Sequence, residues 1–271
     1  MGLASTSRPD DCQRRWQNRI RRSQELQNED VAAVAPLRFY EKILTFQRDL
    51  AGEFQANVET SLPIKEQIDL DLVCSRMPSL LRLAAEHGPD ALAAHARRLE
   101  QSGEPSWRTV LQSCVSANGG KAEILDVFLG RVCLQSIAED LQLQIPEVAN
   151  YSKSVCPACG DLPQLAVLRP EGEGASRWLM CSFCLREWLF RRVICPGCGE
   201  EDKEKLPRFT AERIAFLHVE ACDTCKRYLK AVDMSVEGRA VPLVDEAALA
   251  VLDVWAVDRG YTKIVPNLVG F

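Results

Sequence analysis

The spacing of apolar residues divides the chain into a helical first half and a strand-rich second half. Up to about residue 150, apolar residues recur at spacings of three and four, which is the period of one face of an α-helix. The most regular series is Phe39, Ile43, Phe46, Leu50 and Phe54. The pattern predicts helices over residues 12–29, 36–59, 79–86, 90–101, 105–117 and 121–142. Each apolar stripe is interpreted as bundle core, and the alternative is a groove for a partner.

Helix boundary signals refine this prediction. Pro78 suits the first turn of a helix, so Met77-Pro78 predicts a break before the helix at residues 79–86. Near the carboxyl end, Asp245 is a candidate N-cap of a final helix and Gly260 its stop. In the helix at residues 121–142, the residues expected to face inward are Ile124, Val127, Phe128, Val132 and Ile137.

After residue 150 the pattern changes to short apolar runs separated by turns. The runs at residues 165–168 and 177–180 flank the sequence EGEG at residues 171–174, which predicts a β-hairpin. Residues 214–219 alternate like a further strand. The second half therefore reads as small strand-and-turn modules.

Cysteine distribution identifies the candidate chemistry. Of the 12 cysteines, eight form four Cys-x-x-Cys pairs. The other four, which are Cys12, Cys74, Cys114 and Cys133, fall in helical sequence, where free cysteine often acts as a small buried hydrophobe. The chain shows no secretion signal, so structural disulfides are not expected. Such pairs then serve either as redox dithiols or as halves of metal sites, and four pairs in strand-and-turn sequence favour metal.

The pair spacing predicts two sequential zinc-ribbon or rubredoxin-type modules. The residues between successive pairs number 21, 10 and 23, and the two long gaps hold the predicted strands. The first module would use Cys156, Cys159, Cys181 and Cys184, and the second Cys195, Cys198, Cys222 and Cys225. Four thiolates suit a zinc ion and equally a single iron ion. An interleaved cross-brace pairing, and His218 as a substitute ligand, are the alternatives.

Residues around the pairs support metal binding. Gly160 and Gly199 follow the second cysteine of their pairs, where glycine permits a left-handed turn that aims backbone N–H groups at sulfur. Several cations lie close in sequence and could offset the thiolate charge, or could simply be solvated; they are Arg186, Arg191, Arg192, Lys226 and Arg227.

Charge and composition narrow the remaining function classes. The chain has 271 residues, of which 46% are hydrophobic, and a formal net charge of −5. An acidic balance disfavours nucleic acid as a partner. No apolar run approaches the roughly 18 residues that span a bilayer, so a cytoplasmic protein without membrane insertion is expected.

These features together predict an α+β protein. Its parts are an all-α helical domain at residues 1–150, a first metal module at 151–190, a second at 191–240, and a C-terminal helix and tail at 241–271.

The second half closely resembles the FdhE family of formate dehydrogenase accessory proteins. The resemblance rests on CPACGDLP at residues 156–163, WLMCSFCLREW at 178–188, RRVICPGC at 191–198, EACDTCKRYLK at 220–230 and DRGY at 258–261. It implies a cytoplasmic maturation factor with a helical domain and two rubredoxin-like modules. It also implies that the eight paired cysteines are ligands, in sites with which iron has been associated.

The resemblance further implies a client. A factor of this kind would bind the molybdenum- or tungsten-containing catalytic subunit of formate dehydrogenase and assist its assembly or activation, without being an enzyme itself. The alternative is a rubredoxin-like protein that transfers electrons to, or exchanges thiols with, a client enzyme.

Overall fold

The described residues of the first half of the chain form six α-helices. A computed structural model describes residues 8–28, 34–54, 58–59, 62–116, 123–211 and 214–270. The helices are α1 (Arg8–Asn28), α2 (Val34–Glu53), α3 (Leu70–His87), α4 (Asp90–Ser102), α5 (Glu104–Val115) and α6 (Ile124–Gln142), with a 3-10 turn at Ile64–Gln67. The predicted helices are present, although α2 ends at Glu53 rather than at residue 59. The predicted termini at residues 29, 117 and 121 lie outside the described residues.

The predicted break at Met77-Pro78 is wrong. Pro78 lies inside α3, which runs without interruption from Leu70 to His87. A proline in a helix interior costs about 3 kcal/mol or more, because it removes one hydrogen bond and crowds the preceding turn. Here Cys74 and Met77 are buried before the proline, and Leu80 after it. Burial of this continuous apolar face outweighs the local penalty.

Helix α6 lies at the centre of the helical half. Val132 and Ile137 are fully buried, as predicted, while Val127 and Phe128 are half-buried. Ile124 was expected to face inward but is 65% exposed, because it begins the helix at the edge of the bundle. Polar groups also fasten this helix: Arg19 of α1 donates two hydrogen bonds of 2.7 Å to the Glu139 carboxylate.

The second half forms one sheet. Its strands are β1 (Pro163–Glu171), β2 (Gly174–Cys181), β3 (Glu187–Leu189), β4 (Arg208–Ala211), β5 (Ile214–Ala221), β6 (Arg227–Asp233) and β7 (Thr262–Lys263). The spatial order is β3-β2-β1-β6-β5-β4, and β7 also pairs with β6. The predicted hairpin is confirmed as antiparallel β1 and β2, and the predicted strand at residues 214–219 lies within β5.

A parallel pairing of β1 with β6 joins the two cysteine-bearing segments. Leu165 lies opposite Lys230, and Leu168 lies opposite Asp233. Ala166 of β1, Leu179 of β2 and Leu229 of β6 belong to the same buried cluster as the helices. The helical half and the sheet therefore share one hydrophobic core, and the sheet continues across the predicted module boundary at residues 190 and 191.

Two short helices close the chain where one was expected. They are α7 (Pro242–Ala248) and α8 (Val251–Asp258), and Gly260 follows α8 with a φ of 80°, as its predicted role as a stop requires. Asp245 is not the N-cap, because it lies inside α7 and is buried. Its carboxylate instead accepts hydrogen bonds from the Val241 backbone N–H at 2.6 Å and from Arg22 of α1 at 2.7 Å. Asp245 therefore satisfies a backbone N–H at the start of α7 from a position inside the helix, and it also links α7 to α1.

The observed architecture confirms the predicted α+β class: N-terminal helices, a sheet that carries two groups of four cysteines, and C-terminal helices. Across the described ranges, no helix is long and apolar enough to cross a membrane.

Candidate metal centres

All four Cys-x-x-Cys pairs adopt the same tight turn. In each, the backbone N–H of the first cysteine donates a hydrogen bond of 2.8 or 2.9 Å to the carbonyl five residues later. The residue after the second cysteine has a positive φ, which is 81° at Gly160, 58° at Leu185, 81° at Gly199 and 55° at Lys226. This conformation curls the chain so that both cysteine side chains point to one side.

Backbone N–H groups point at sulfur within these turns. The N–H groups of Ala158, Phe183 and Gly197 lie 3.4, 3.3 and 3.3 Å from the Sγ atoms of Cys156, Cys181 and Cys195. Donors in this position stabilise a thiolate, which is the form that binds metal. The prediction for Gly160 and Gly199 is confirmed in both turns.

Leu185 and Lys226 take the same left-handed conformation without being glycine, and sequence reasoning missed them. A residue with a β-carbon is disfavoured there, and a bulky one such as Leu185 more so. The signal available in the sequence was positional, since both follow the second cysteine of a pair that forms the same turn. Neighbouring contacts hold them: Leu185 is buried, and Lys226 pairs with Asp223 at 2.7 Å.

The first cluster lies within the hydrophobic core. The Sγ atoms of Cys156 and Cys184 are 3.5 Å apart, and those of Cys159 and Cys181 are 3.3 Å apart. Three of these cysteines are buried in the core that the helices and sheet share, and Cys159 packs against it.

The second cluster lies nearer to solvent. The Sγ atoms of Cys195 and Cys225 are 3.7 Å apart, as are those of Cys198 and Cys222. Cys198 is exposed and Cys225 is half-buried, whereas Cys195 and Cys222 are buried. Unlike the first cluster, this one is not part of the shared core.

The donor sets fit tetrahedral metal ions. Within each cluster, the four candidate ligand atoms lie within 4.8 Å of one another. Four sulfurs at about 2.3 Å from a zinc ion would stand about 3.8 Å apart, close to the separations observed. A disulfide would require about 2.05 Å, so these cysteines are free thiols. The eight cysteines thus group as the sequential modules predict rather than as a cross-brace, and the two clusters could bind two metal ions.

The cations near the cysteines have different surroundings. Arg186 is buried and donates to the backbone carbonyls of Ile145 at 3.0 Å and Pro146 at 2.7 Å, so it fastens the first cluster's turn to the segment after α6. Arg191 pairs with Glu201 at 3.2 Å, and Lys226 pairs with Asp223. Within the described part of the chain, Arg192 and Arg227 have no carboxylate partner.

Helix α6 also holds the first cluster's second turn, which sequence reasoning did not find. Arg131 and Gln135 both donate to the Ser182 carbonyl, at 2.8 and 2.9 Å, between the ligand candidates Cys181 and Cys184. Arg131 donates a second bond of 3.0 Å to Gln164. Burial lowers the pKa of Arg131, and negative charge on the nearby Cys181 sulfur opposes that shift. No local pattern in a helix shows which distant carbonyl its polar residues will contact.

The remaining candidates lie apart from the two clusters. His218 is fully buried, but its ring nitrogens lie 2.9 Å from Arg208 and 3.3 Å from Glu220. It belongs to neither group of four cysteines, and it therefore does not act as the substitute ligand. Of the unpaired cysteines, Cys74 and Cys133 are buried as predicted, while Cys12 and Cys114 are half-buried.

Comparison with known proteins places these clusters in matched segments. Residues 155–192 match the family model "FdhE, central domain", and residues 193–269 match "FdhE, C-terminal domain". An FdhE homolog of Aquifex aeolicus is 28% identical over 196 residues, which cover 71% of this chain and 68% of that protein. An FdhE homolog of Pseudomonas aeruginosa is 31% identical over 206 residues, covering 71% of this chain and 66% of that protein.

A solved structure shares the fold. The crystal structure of the FdhE protein from Pseudomonas aeruginosa superposes with a TM-score of 0.70, over 94% of this chain and 95% of that one, at 23% sequence identity. The helical half is therefore part of the shared architecture, although the family models match only the cysteine-bearing half.

Proposed function

This chain belongs to the FdhE family of formate dehydrogenase-related accessory proteins, and from that membership we propose its function. It binds the molybdenum- or tungsten-containing catalytic subunit of formate dehydrogenase in the cytoplasm and assists the assembly or activation of that subunit. The observation that carries this proposal is the grouping of all eight paired cysteines into two clusters inside the segments that match the FdhE models.

In this proposal the metal ions shape a binding surface and are not reaction centres. A catalytic zinc ion keeps an open coordination position beside three protein ligands. Here each cluster offers four cysteines, which fill a tetrahedral site and leave no position for a substrate. We therefore propose a protein-binding factor rather than an enzyme. The ions would hold the cysteine turns, and with them the sheet surface that meets the client.

Substitution of one ligand candidate tests the proposal. We expect Cys195→Ser to lose the metal of the second cluster and to lose capture of the formate dehydrogenase catalytic subunit, because a serine hydroxyl is a far poorer ligand than a thiolate and Cys198 alone would then connect the first turn to the ion. Elemental analysis and a pull-down with the purified subunit measure the two effects. Cys12→Ser is the matched control, since Cys12 is half-buried beside Asp140 and distant in sequence from both clusters. A variant that lacks the metal but captures the subunit as well as the unaltered protein would contradict the proposal.

Exposure of Cys198 favours a second candidate function, which is redox chemistry. Four thiolates near the surface would hold an iron ion within reach of an electron-transfer partner, whereas the buried first cluster would not. If this function holds, protein purified without oxygen contains iron and shows a thiolate-to-iron absorbance that a reductant bleaches. Protein that contains only zinc and has no titratable thiols would eliminate this candidate while leaving the accessory function intact.

A further inference from the structure

A basic cleft of about 300 Å³ lies beside the second cysteine cluster, which contributes Cys195 and Cys222 to its wall. Five cations and one carboxylate line it; they are Arg177, Arg192, Lys203, Arg208, Arg227 and Glu220. This volume is at the lower end of the range for small-molecule pockets, about 300–1,000 Å³. The cleft thus has room for a small ligand rather than for an extended polymer.

Two of the five cations are already committed to protein partners. The Arg177 guanidinium donates two hydrogen bonds, of 2.6 and 2.9 Å, to the Glu220 carboxylate and a third of 3.1 Å to the Arg191 carbonyl. Arg208 lies 2.9 Å from His218 and 3.9 Å from the carboxylate of Asp233. Glu220, the only carboxylate among the described residues that line the cleft, is in turn neutralised by Arg177.

The other three cations have no hydrogen-bond acceptor or carboxylate partner among residues 8–28, 34–54, 58–59, 62–116, 123–211 and 214–270. They come from three separate elements: Arg192 follows β3, Lys203 begins a 3-10 turn, and Arg227 begins β6. Their convergence on one cleft is unexpected in a chain whose net charge is −5.

The second metal cluster does not account for all of this charge. Four thiolates around a divalent ion carry a formal charge of about −2. The Arg227 side chain lies close to that centre, since its Cδ is 3.3 Å from the position that a β-carbon on Gly197, in the Cys195–Cys198 turn, would occupy. Five positive charges still exceed, by one, the two negative charges of the metal centre, the one of Glu220 and the one of Asp233, which pairs with Arg208. The cleft therefore keeps an excess of positive charge.

We propose that this basic cleft binds a small phosphorylated molecule, with Arg192, Lys203 and Arg227 contacting its phosphate oxygens. A phosphate group carries about −1.5 to −2 charges and three strong acceptor oxygens, which matches three unpaired cations. A guanidinium group can also donate two parallel hydrogen bonds to two oxygens of one phosphate. The lining includes the apolar residues Leu206, Leu229 and Ile264, so the phosphate is expected to belong to an organic molecule with an apolar portion.

Calorimetric titration of the zinc-loaded full chain with inorganic phosphate and with pyrophosphate tests this site. We expect saturable binding of pyrophosphate with one site per chain. The double variant Arg192→Gln/Lys203→Gln should weaken it at least about tenfold, since each lost charge-assisted hydrogen bond is worth more than a factor of ten. Both substituted residues are exposed, so the fold and the metal content should not change.

The matched control is Arg191→Gln/Lys205→Gln, which removes the same charge from the same two segments but outside the cleft. It should leave pyrophosphate affinity within about threefold of the original value. Equal weakening in both double variants would show non-specific attraction and overturn the proposal. Absence of saturable binding of either probe would also overturn it, as would binding of a hexaglutamate peptide alone, which would identify a surface for an acidic protein segment.

Discussion

Removal of metal from both centres is expected to unfold the sheet half of this protein and to loosen the helical half packed against it. A structural zinc ion contributes an apparent 10–16 kcal/mol or so in zinc-finger peptides at neutral pH, and whole domains have net stabilities of only about 5–15 kcal/mol. Three cysteines of the first cluster, Cys156, Cys181 and Cys184, belong to the shared core, so loss of that ion should reach the helices. Thermal unfolding followed by circular dichroism, with and without a strong chelator, measures the effect.

A matched pair of variants separates the two centres. Cys184 is 0% exposed and lies in the core, whereas Cys198 is exposed. We therefore expect Cys184→Ser to lower the melting temperature of the whole chain far more than Cys198→Ser, which should mainly release the metal of the second centre. Chelator-treated protein that melts at the same temperature as the loaded protein would refute a structural role for the ions. Equal effects of the two variants would refute the difference between the centres.

The second large effect is expected from Lys230→Met, which should lower the free energy of unfolding by about 3–5 kcal/mol, the usual cost of removing one partner from a buried ion pair. The Lys230 side chain is 0% exposed, and its Nζ lies 3.0 Å from the Glu246 carboxylate and also pairs with Asp253. Lys263 is the other cation bonded to these two carboxylates. Without Lys230, the Lys263 ammonium is left to pair with both buried carboxylates, Glu246 and Asp253, so one negative charge has no compensating positive charge. Urea unfolding of the metal-loaded protein measures the loss.

The control for this prediction is Arg191→Met, which breaks the pair between Arg191 and Glu201, whose side chains are 66% and 58% exposed. An exposed pair contributes at most about 1 kcal/mol. If the two variants lost similar stability, the buried cluster would not be the main polar anchor of the C-terminal helices.

The stability that the buried cluster of Lys230, Lys263, Glu246 and Asp253 provides should also depend on pH. Burial alone would raise the pKa of Glu246, but the Lys230 and Lys263 ammonium groups lower it from 4.5 to about 2. A carboxylate whose pKa is lower in the folded state contributes stability above its ordinary pKa and loses it as the pH falls toward the folded value. That contribution is thus present above about pH 4.5 and disappears between there and pH 2. In Lys230→Met the pKa rises, so acid unfolding begins at a higher pH.

Much of the candidate site could be read from local sequence. The four Cys-x-x-Cys pairs, the hairpin between the first two, and the left-handed turns at Gly160 and Gly199 each depend on residues that are near neighbours in the chain. The helical period likewise located α1 to α6, apart from the break expected at Pro78. Local rules succeeded where the residues that decide a conformation lie within one turn or one strand of each other.

Other features depended on contacts between distant segments. Helix α3 continues through Pro78 because its buried face packs against other helices. Asp245 is drawn into α7 by Arg22, which is 223 residues earlier in the chain. Leu185 and Lys226 adopt the left-handed conformation that the cysteine turns require. The conformational preferences of leucine and lysine alone would predict against it.

By itself the sequence determined the class of the protein, its helices, and the four Cys-x-x-Cys pairs as candidate ligands, because each of these depends on spacing between near neighbours in the chain. The structure selected the sequential grouping of those pairs over the cross-brace. Tertiary structure alone decided that β1 pairs in parallel with β6, which merges the two modules into one sheet over the helices. It also decided that one centre is buried and the other exposed, and that unpaired cations meet beside the second. The physical reason is that burial and charge balance are properties of surfaces that form only when remote segments pack together.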